Sequence, residues 1–199
     1  MSCLSKDQHQ KNTEPQIINV AIVGPSFSGK TCLHTRHRRR TFQEVYNIRM
    51  TDNIKINLSL FSRLVTLNMW IIAITESHWD DRLRPLIFTE ASIIIACFSI
   101  DNPNSLTNVG EIWIPGVRNY TTKAPILLVG CKLDVRTDPI ALKRMRNTEP
   151  VSVQQGREMA KSIDAAMYLE CSAKTGQGVD EVFHHAARLS LYAKAEAIS

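Results

Sequence analysis

The chain has 199 residues, of which 44% are hydrophobic and 22% are charged, and it carries a formal net charge of +5. These values suit one globular domain with a sizeable core. No stretch of 18 residues is uninterruptedly apolar, which excludes a transmembrane helix, and polar residues 1–16 are expected to form a disordered leader. The five scattered cysteines form no C-x-x-C pair, which favours a reducing, cytoplasmic setting over a disulfide framework or zinc site.

Strand and helix patterns alternate along the chain. Strands are predicted at residues 17–23, 55–61, 64–71, 93–98, 126–129 and 166–170. The second and third alternate apolar and polar residues and form a hairpin turning at 62–63, whereas the central runs are continuously apolar, as buried parallel strands are. Helices are predicted at 104–120, with a break at Pro115 and Gly116, at 153–163 and at 179–193. The pattern predicts an α/β doubly wound sheet of six mostly parallel strands, spanning residues 17–193 with a short tail at 194–199.

The loop after the first strand matches a phosphate-binding motif. Residues 24–31 read GPSFSGKT, which fits G-x-x-x-x-G-K-[ST] in the required strand–loop–helix context. Its glycines let backbone N–H groups point at phosphates, Lys30 is placed for the β/γ-phosphates, and the Thr31 hydroxyl is placed for Mg²⁺. The predicted phosphate-side residues are Gly24, Ser26, Phe27, Ser28, Gly29, Lys30, Thr31 and Cys32.

Two segments downstream favour guanine as the base. Residues 131–134 read CKLD after the fifth strand, and residues 171–174 read CSAK after the sixth. Guanine presents N1–H and an exocyclic amine side by side, so the Asp134 carboxylate can accept both, while the Ala173 N–H can donate to O6. Lys132, Ser172 and Lys174 complete the predicted base-side set.

These two segments are similar to the [NT]-K-x-D and S-A-K elements of small GTPases. Four further segments narrow the resemblance, namely FQEVY at 42–46, DRLRPL at 81–86, FSID at 98–101 and YLECSAK at 168–174. A basic segment at 136–150 stands where Rho proteins carry an insert helix. The chain therefore resembles the Rho family of the Ras superfamily, which implies a P-loop NTPase G domain with a Rho-type insert.

The resemblance carries functional expectations. It implies a GDP/GTP switch that binds Mg²⁺, exchange factors, GTPase-activating proteins and effectors, and that regulates the actin cytoskeleton through signal transduction. Phe42 would pack against the guanine ring, Lys132 would lie along the nucleotide, and Thr31 would be the surviving magnesium ligand. The implied partner surface consists of Tyr46, Asp81, Arg82, Leu83, Arg84, Pro85 and Leu86.

The pattern departs from the family at the end of the third strand. Relatives have W-D-T-A-G-Q-E where residues 70–76 read WIIAITE. Aligned on the tryptophan, the magnesium-associated Asp is replaced by Ile71, the γ-phosphate-sensing Gly by Ile74, and the water-positioning Gln by Thr75. No catalytic residue is assigned, and we expect weak or absent hydrolysis.

Two further departures affect the phosphates. The switch threonine that closes over Mg²⁺ corresponds to Arg49, and the second P-loop glycine corresponds to Ser26, next to Phe27. A side chain at Ser26 crowds the space of an arginine finger, which is worth roughly 10³–10⁵ in rate. With Thr31 as the remaining protein ligand, Mg²⁺ should be weakly held. Cys131, where relatives have Asn or Thr, weakens a contact to the P-loop.

The segment after the P-loop is unusually basic, with Arg36, Arg38, Arg39 and Arg40. Burying unpaired charges is costly, so the first helix is expected to be shifted, frayed or shortened. The alternative is a patch for an acidic membrane surface or nucleic acid. The C-terminus lacks a C-a-a-X cysteine, so we expect no prenyl anchor and a monomer that is cytoplasmic or peripheral at the plasma membrane.

Three hypotheses remain open. The first is a Rho-like guanine-nucleotide-binding pseudoGTPase that presents partner surfaces. The second is a cycling Rho GTPase with an unconventional second switch, which converts GTP to GDP. The third is a nucleotide-free interaction module. The nucleotide content of the purified protein separates the third from the others, and turnover separates the first two.

Overall fold

A computed structural model describes residues 15–42, 53–61, 63–72, 83–145 and 148–196. These residues form a six-stranded sheet in the order β2-β3-β1-β4-β5-β6. The strands are β1 (Gln16–Val23), β2 (Asn53–Leu60), β3 (Arg63–Ile71), β4 (Ile93–Ser99), β5 (Ile126–Cys131) and β6 (Met167–Cys171). The predicted six-stranded, mostly parallel sheet is confirmed.

β2 and β3 form the single antiparallel pair of the described sheet, and the remaining neighbours are parallel. Arg63 already pairs with Leu60, so the hairpin turn predicted at residues 62–63 was one residue too late. Because the five strands from β3 to β6 in the sheet order run in parallel, their carboxyl ends meet at one edge, where ligands of such folds bind.

The helices lie on both faces of the sheet. They are α1 (Lys30–Arg39), α2 (Leu83–Glu90), α3 (Pro103–Asn108), α4 (Ile114–Arg118), α5 (Pro139–Arg144), α6 (Val153–Ser162) and α7 (Val179–Glu196). One apolar cluster joins the sheet to α1 and α7, and a second joins it to the helices between α2 and α6. No helix within the described ranges is both long and apolar enough to cross a bilayer.

The helical path from α3 to α4 differs from the prediction. The expected break at Pro115 is absent, and the irregularity lies upstream, in a π-helical turn at Val109–Trp113. Its wider hydrogen bond runs from the Ile114 N–H to the Val109 carbonyl. A proline ring clashes with the carbonyl four residues earlier, and a wider turn before it relieves that clash.

Helix α1 corrects a second expectation. It forms a ten-residue helix directly from the P-loop, because its basic side chains either face solvent or find partners. Arg40 donates to both Asp180 carboxylate oxygens at 2.6 and 2.7 Å, and Arg36 donates to the Thr175 carbonyl at 3.3 Å. His37 packs on Phe183 with 4.5 Å between ring centroids. The basic segment therefore ties α1 to α7 and to the loop before it.

Candidate functional site

The P-loop is fixed by two glycines with positive φ. Gly24 has φ 137°, and a Cβ there would lie 2.1 Å from the Cys97 carbonyl oxygen. Gly29 has φ 97°, and a Cβ there would lie 2.9 Å from the Cys131 Cβ. Both close approaches exclude larger residues, so the loop lies directly on the ends of β4 and β5.

Lys30 lies inside the loop. Its ammonium donates to the carbonyls of Gly24 and Pro25, both at 2.6 Å, and it contacts the Ser28 hydroxyl at 3.3 Å. Only 6% of Lys30 is exposed, and this burial lowers the pKa of its ammonium. The loop therefore concentrates a positive charge at its centre, as a polyphosphate site requires.

The middle of the loop faces solvent. Phe27 adopts φ 61° and is 92% exposed, which is an unusual conformation for a bulky residue. Ser26 is also exposed, whereas the Thr31 side chain is half-buried at the start of α1. The outer face of the phosphate loop thus carries an aromatic side chain where a small residue would leave room for a partner.

A cavity of about 360 Å³ lies beside the P-loop, at the carboxyl ends of β5 and β6. Its lining residues come from five separate parts of the chain and include both thiols and cations. They are Gly29, Cys32, Leu33, Phe42, Cys131, Lys132, Asp134, Arg144, Cys171, Ala173 and Lys174.

Asp134 is held by the loop after β6. Its Oδ1 accepts a hydrogen bond of 2.5 Å from the Ser172 hydroxyl, and Ser172 is fully buried. The same hydroxyl oxygen accepts from the Thr175 N–H at 3.1 Å. Because Ser172 occupies Oδ1, the second carboxylate oxygen and the remaining lone pairs can face a ligand.

Lys132 and Lys174 flank this carboxylate. Lys132 has φ 65°, and its ammonium pairs with Asp101 at 3.0 Å. Lys174 pairs with Asp138 at 3.0 Å and lies 4.0 Å from Asp134. The hydrogen bond from Lys174 and those from two backbone N–H groups lower the pKa of the Asp138 carboxyl. These pairs fix the two lysines along the cavity wall.

A partly buried ion pair braces the base side. Arg136 donates to both oxygens of Glu170 at 2.5 and 2.6 Å and to the Val151 carbonyl at 2.6 Å. Hydrogen bonding to Glu170 raises the pKa of the Arg136 guanidinium. The pair joins the segment after β5 to β6, so the two loops that carry Asp134 and Ser172 keep their relative positions.

Comparison with known proteins identifies the family. Residues 19–191 match the sequence model of the Ras family. The chain is 45% identical over 177 residues to the GTP-binding protein RHO1 of Candida albicans, with 88% of each chain covered. The chain belongs to the Rho family of small GTPases. It is also 42% identical to the GTP-binding protein RHO1 of Saccharomyces cerevisiae (89% and 85% covered) and 41% identical to the GTP-binding protein rho5 of Schizosaccharomyces pombe (86% of each covered).

The structure of this Rho-family chain brings together much of the predicted site. The predicted residues that line the cavity are Gly29, Cys32, Phe42, Lys132, Asp134, Ala173 and Lys174. Ser172 lies buried beneath them. Gly24, Ser26, Phe27, Ser28, Lys30 and Thr31 lie in the adjoining P-loop but are not among the cavity's lining residues.

Several predicted site residues lie neither in the cavity nor in the P-loop, or lie outside the described residues. Tyr46, Asp81 and Arg82 lie outside the described residues, as do Arg49 and residues 74–76. The remaining partner-surface residues belong to α2 (Leu83–Glu90), where Leu86 is 63% exposed. Ile71 is 1% exposed and lies in the apolar core.

Sequence reasoning did not place four of the cavity residues of this Rho-family chain in the site. Leu33, Cys131 and Cys171 are buried and form part of the floor, while Arg144 reaches the cavity from α5 in the insert. Arg144 appeared in the sequence only as one cation of a basic segment. No local pattern links it to Asp134, because the chain folds back between them.

These side chains offer few ligands for the Mg²⁺ ion that the family binds. The Thr31 hydroxyl is placed at the start of α1, but the Ile71 side chain carries no oxygen. Within the described ranges, no group of three or more His, Cys, Asp or Glu residues is arranged to hold a metal ion. Mg²⁺ is usually bound through one or two carboxylates together with substrate phosphates and waters.

Proposed function

We propose that this Rho-family protein binds GTP and GDP and acts as a signalling module with weak or absent hydrolysis. The observation that carries the proposal is the Asp134 carboxylate, held by Ser172 at 2.5 Å in a cavity that adjoins the P-loop. This juxtaposition supplies a purine contact and a phosphate contact on one continuous surface.

The cavity chemistry favours guanine over adenine. The Asp134 carboxylate accepts hydrogen bonds and donates none, so it matches the N1–H and amine of guanine. Adenine has an unprotonated N1, which would face the same carboxylate unfavourably. Phe42 and Lys132 line the same cavity as Asp134, and their side chains would contact the ring faces.

The P-loop would bind the phosphates through charge and backbone N–H groups. The Lys30 ammonium, held between the Gly24 and Pro25 carbonyls, attracts the β/γ-phosphates. Thr31 and the phosphate oxygens would hold Mg²⁺ weakly. The ion, when bound, neutralises charge on the terminal phosphates.

Hydrolysis lacks residues that would drive it. Ile71 is an apolar core residue where relatives have a carboxylate, so it neither ligates nor positions anything at the metal. Ser26 adds a side chain on the exposed face of the P-loop, where a stabilising arginine would need to enter. Thr75, where relatives have the water-positioning Gln, lies outside the described residues.

The protein would signal through its partner-binding surfaces rather than through GTP hydrolysis. The exposed Leu86 and Pro85 on α2 support binding of Rho-type exchange factors or effectors, in signalling to the actin cytoskeleton. We place this action in the cytoplasm or at the plasma-membrane periphery. The free thiols of Cys32, Cys97, Cys131 and Cys171 suit a reducing compartment.

The test is the nucleotide that copurifies with the protein. Chromatography of the acid-released ligand, with and without Mg²⁺ during purification, should give guanine nucleotide at up to one per chain and less when Mg²⁺ is chelated. Asp134→Ala, which should fold, provides the matched control and should lose it. Protein that is folded by circular dichroism, yet shows no calorimetric heat with GDP or GTP, would refute the proposal.

Turnover is measured separately. Single-turnover hydrolysis of radiolabelled GTP, loaded on the purified protein, should leave the γ-phosphate in place over the time in which an ordinary Ras-like protein hydrolyses it. Release of phosphate at a Ras-like rate would favour the cycling GTPase instead.

A further inference from the structure

Three buried thiols cluster at the edge of the sheet where the cavity lies. Cys97 belongs to β4, while Cys131 ends β5 and Cys171 ends β6. Their exposures are 0%, 3% and 1%. The nucleotide-binding role assigns no chemistry to any of them.

Cys131 and Cys171 are direct partners in the sheet. They are paired in register across β5 and β6, so their side chains leave the sheet on the same face. Adjacent strands lie about 4.8 Å apart, which falls within the usual Cα separation of a disulfide, about 4.4–6.8 Å. Cys97 is paired with Val129 instead, two residues from Cys131 and therefore on a diagonal.

Contact with the cavity also distinguishes these two thiols from Cys97. Both Cys131 and Cys171 line the cavity, and Cys97 is not among the lining residues. A small reactant that enters the cavity therefore meets these two sulfurs and that of Cys32, which lies in α1, but not that of Cys97. A nucleotide in the cavity would cover them.

The surroundings activate Cys131. Hydrogen bonds from the thiols of Cys171 and Cys97 lower its pKa, and the ammonium groups of Lys30 and Lys132 act in the same direction against burial. Donation to Cys131 and burial raise the pKa of Cys171. Cys131 is thus the better nucleophile, and Cys171 keeps a proton until it reacts.

We propose that Cys131 and Cys171 form a peroxide-oxidisable thiol pair in the floor of the cavity, shielded by whatever molecule fills it. The reactant is hydrogen peroxide. Oxidation does not require a nucleotide, whereas shielding by GDP rests on the proposed function.

The chemistry balances as a two-electron oxidation. The Cys131 thiolate attacks one oxygen of hydrogen peroxide, the O–O bond breaks, and a sulfenic acid and hydroxide form. The Cys171 sulfur then attacks the sulfenic sulfur, the S–S bond forms, and the S–OH bond breaks. The departing hydroxide and the first hydroxide take up the protons of the two original thiols, so two waters leave and both sulfurs are oxidised.

A Cys131–Cys171 disulfide would affect the cavity because both cysteines directly precede loops that line it. Cys131 directly precedes the segment that carries Lys132 and Asp134, and Cys171 directly precedes Ser172 and Ala173. A covalent bond between these two positions fixes the distance between the loops. Oxidised protein should therefore exchange GDP at a different rate from reduced protein.

The experiment uses the full chain, stripped of nucleotide and treated with hydrogen peroxide. After thiol blocking and trypsin digestion, mass spectrometry should find peptide 124–132 joined to peptide 162–174. The variant Cys131→Asn should abolish this species, while Cys32→Ser and Cys97→Ser should retain it. If GDP covers the pair, oxidation at 100 times the Kd of GDP should slow about 100-fold, since only the free form reacts.

The outcomes separate the two ideas. Absence of the cross-linked peptide in folded, wild-type protein, or a link from Cys131 to Cys97 instead, overturns the thiol pair whether or not nucleotide binds. A chain that binds GDP yet oxidises equally fast at saturation overturns the shielding. A chain that forms the link but binds no GDP upholds the pair and refutes the nucleotide function.

Discussion

The base side and the phosphate side of the site differ in how far they keep the pattern of the Rho family. At the ends of β5 and β6, Asp134, Ser172 and Lys174 stand in the expected order and are joined by hydrogen bonds and ion pairs. At the end of β3, the expected carboxylate is Ile71, which is buried in the core. The P-loop also carries Ser26 and Phe27 at its exposed turn.

This difference separates recognition from chemistry. Base recognition depends on two loops that are braced by the Arg136–Glu170 pair, so it needs few residues and a rigid frame. Phosphoryl transfer depends on several groups acting together, and loss of any one of them slows the reaction strongly. The difference therefore supports the proposal that the chain holds and distinguishes a nucleotide rather than hydrolysing it.

The largest expected effect on base binding comes from Asp134→Ala. It removes two hydrogen bonds to a charged group, worth about 3–6 kcal/mol together. GDP affinity by calorimetry should therefore fall about 10²–10⁴-fold. The matched variant Asp134→Asn should prefer xanthosine diphosphate, because a carboxamide can donate to the extra carbonyl. Unchanged GDP affinity in Asp134→Ala would place the base elsewhere.

The Arg136–Glu170 pair that braces the two base-side loops can be removed with Arg136→Ala. The two side chains of the pair are 22% and 13% exposed, so loss of one partner leaves a poorly solvated carboxylate. Discounted for partial screening, unfolding free energy should fall by about 2 kcal/mol. This corresponds to a drop in Tm of about 4–8 °C.

Lys143→Ala, on the exposed helix α5, is the control for that change, and urea unfolding should shift by less than about 0.5 kcal/mol. Equal stability of the two variants would show that the Arg136–Glu170 pair does not brace the base side.

A smaller effect should follow from Arg144→Ala. Arg144 lines the cavity from the insert, and a guanidinium can stack on a base or donate to it. Loss of one such contact is worth about 1 kcal/mol, so dissociation of fluorescent GDP should accelerate about fivefold. Lys143→Ala should leave the rate unchanged, and a matching change in both variants would mean that only the general charge of α5 matters.

The smallest expected effect tests which departure on the phosphate side limits GTP hydrolysis. Ser26→Gly restores the family's residue in the P-loop but leaves Ile71 without a carboxylate. Single-turnover GTP hydrolysis should show no measurable gain. Hydrolysis that appears in Ser26→Gly alone would show that the crowded P-loop, and not the end of β3, limits the chemistry.

The sheet and the base-side loops were predictable because their signals are local. Apolar runs mark the buried strands, and each motif directly follows a strand end. The pairing of α1 with Asp180 and the position of Arg144 were not predictable, since both depend on residues that are distant in sequence. The π-helical turn before Pro115 is a backbone adjustment that the proline signals only in part.

That π-helical turn also places Trp113, whose ring centroid lies 5.9 Å from the Lys30 ammonium. The emission of an indole responds to the electric field around it, and phosphate arriving beside this ammonium would change that field. The chain thus carries an intrinsic fluorophore next to its phosphate loop. Nucleotide titrations can be followed without a dye, and Trp113→Phe separates this signal from that of the other tryptophans.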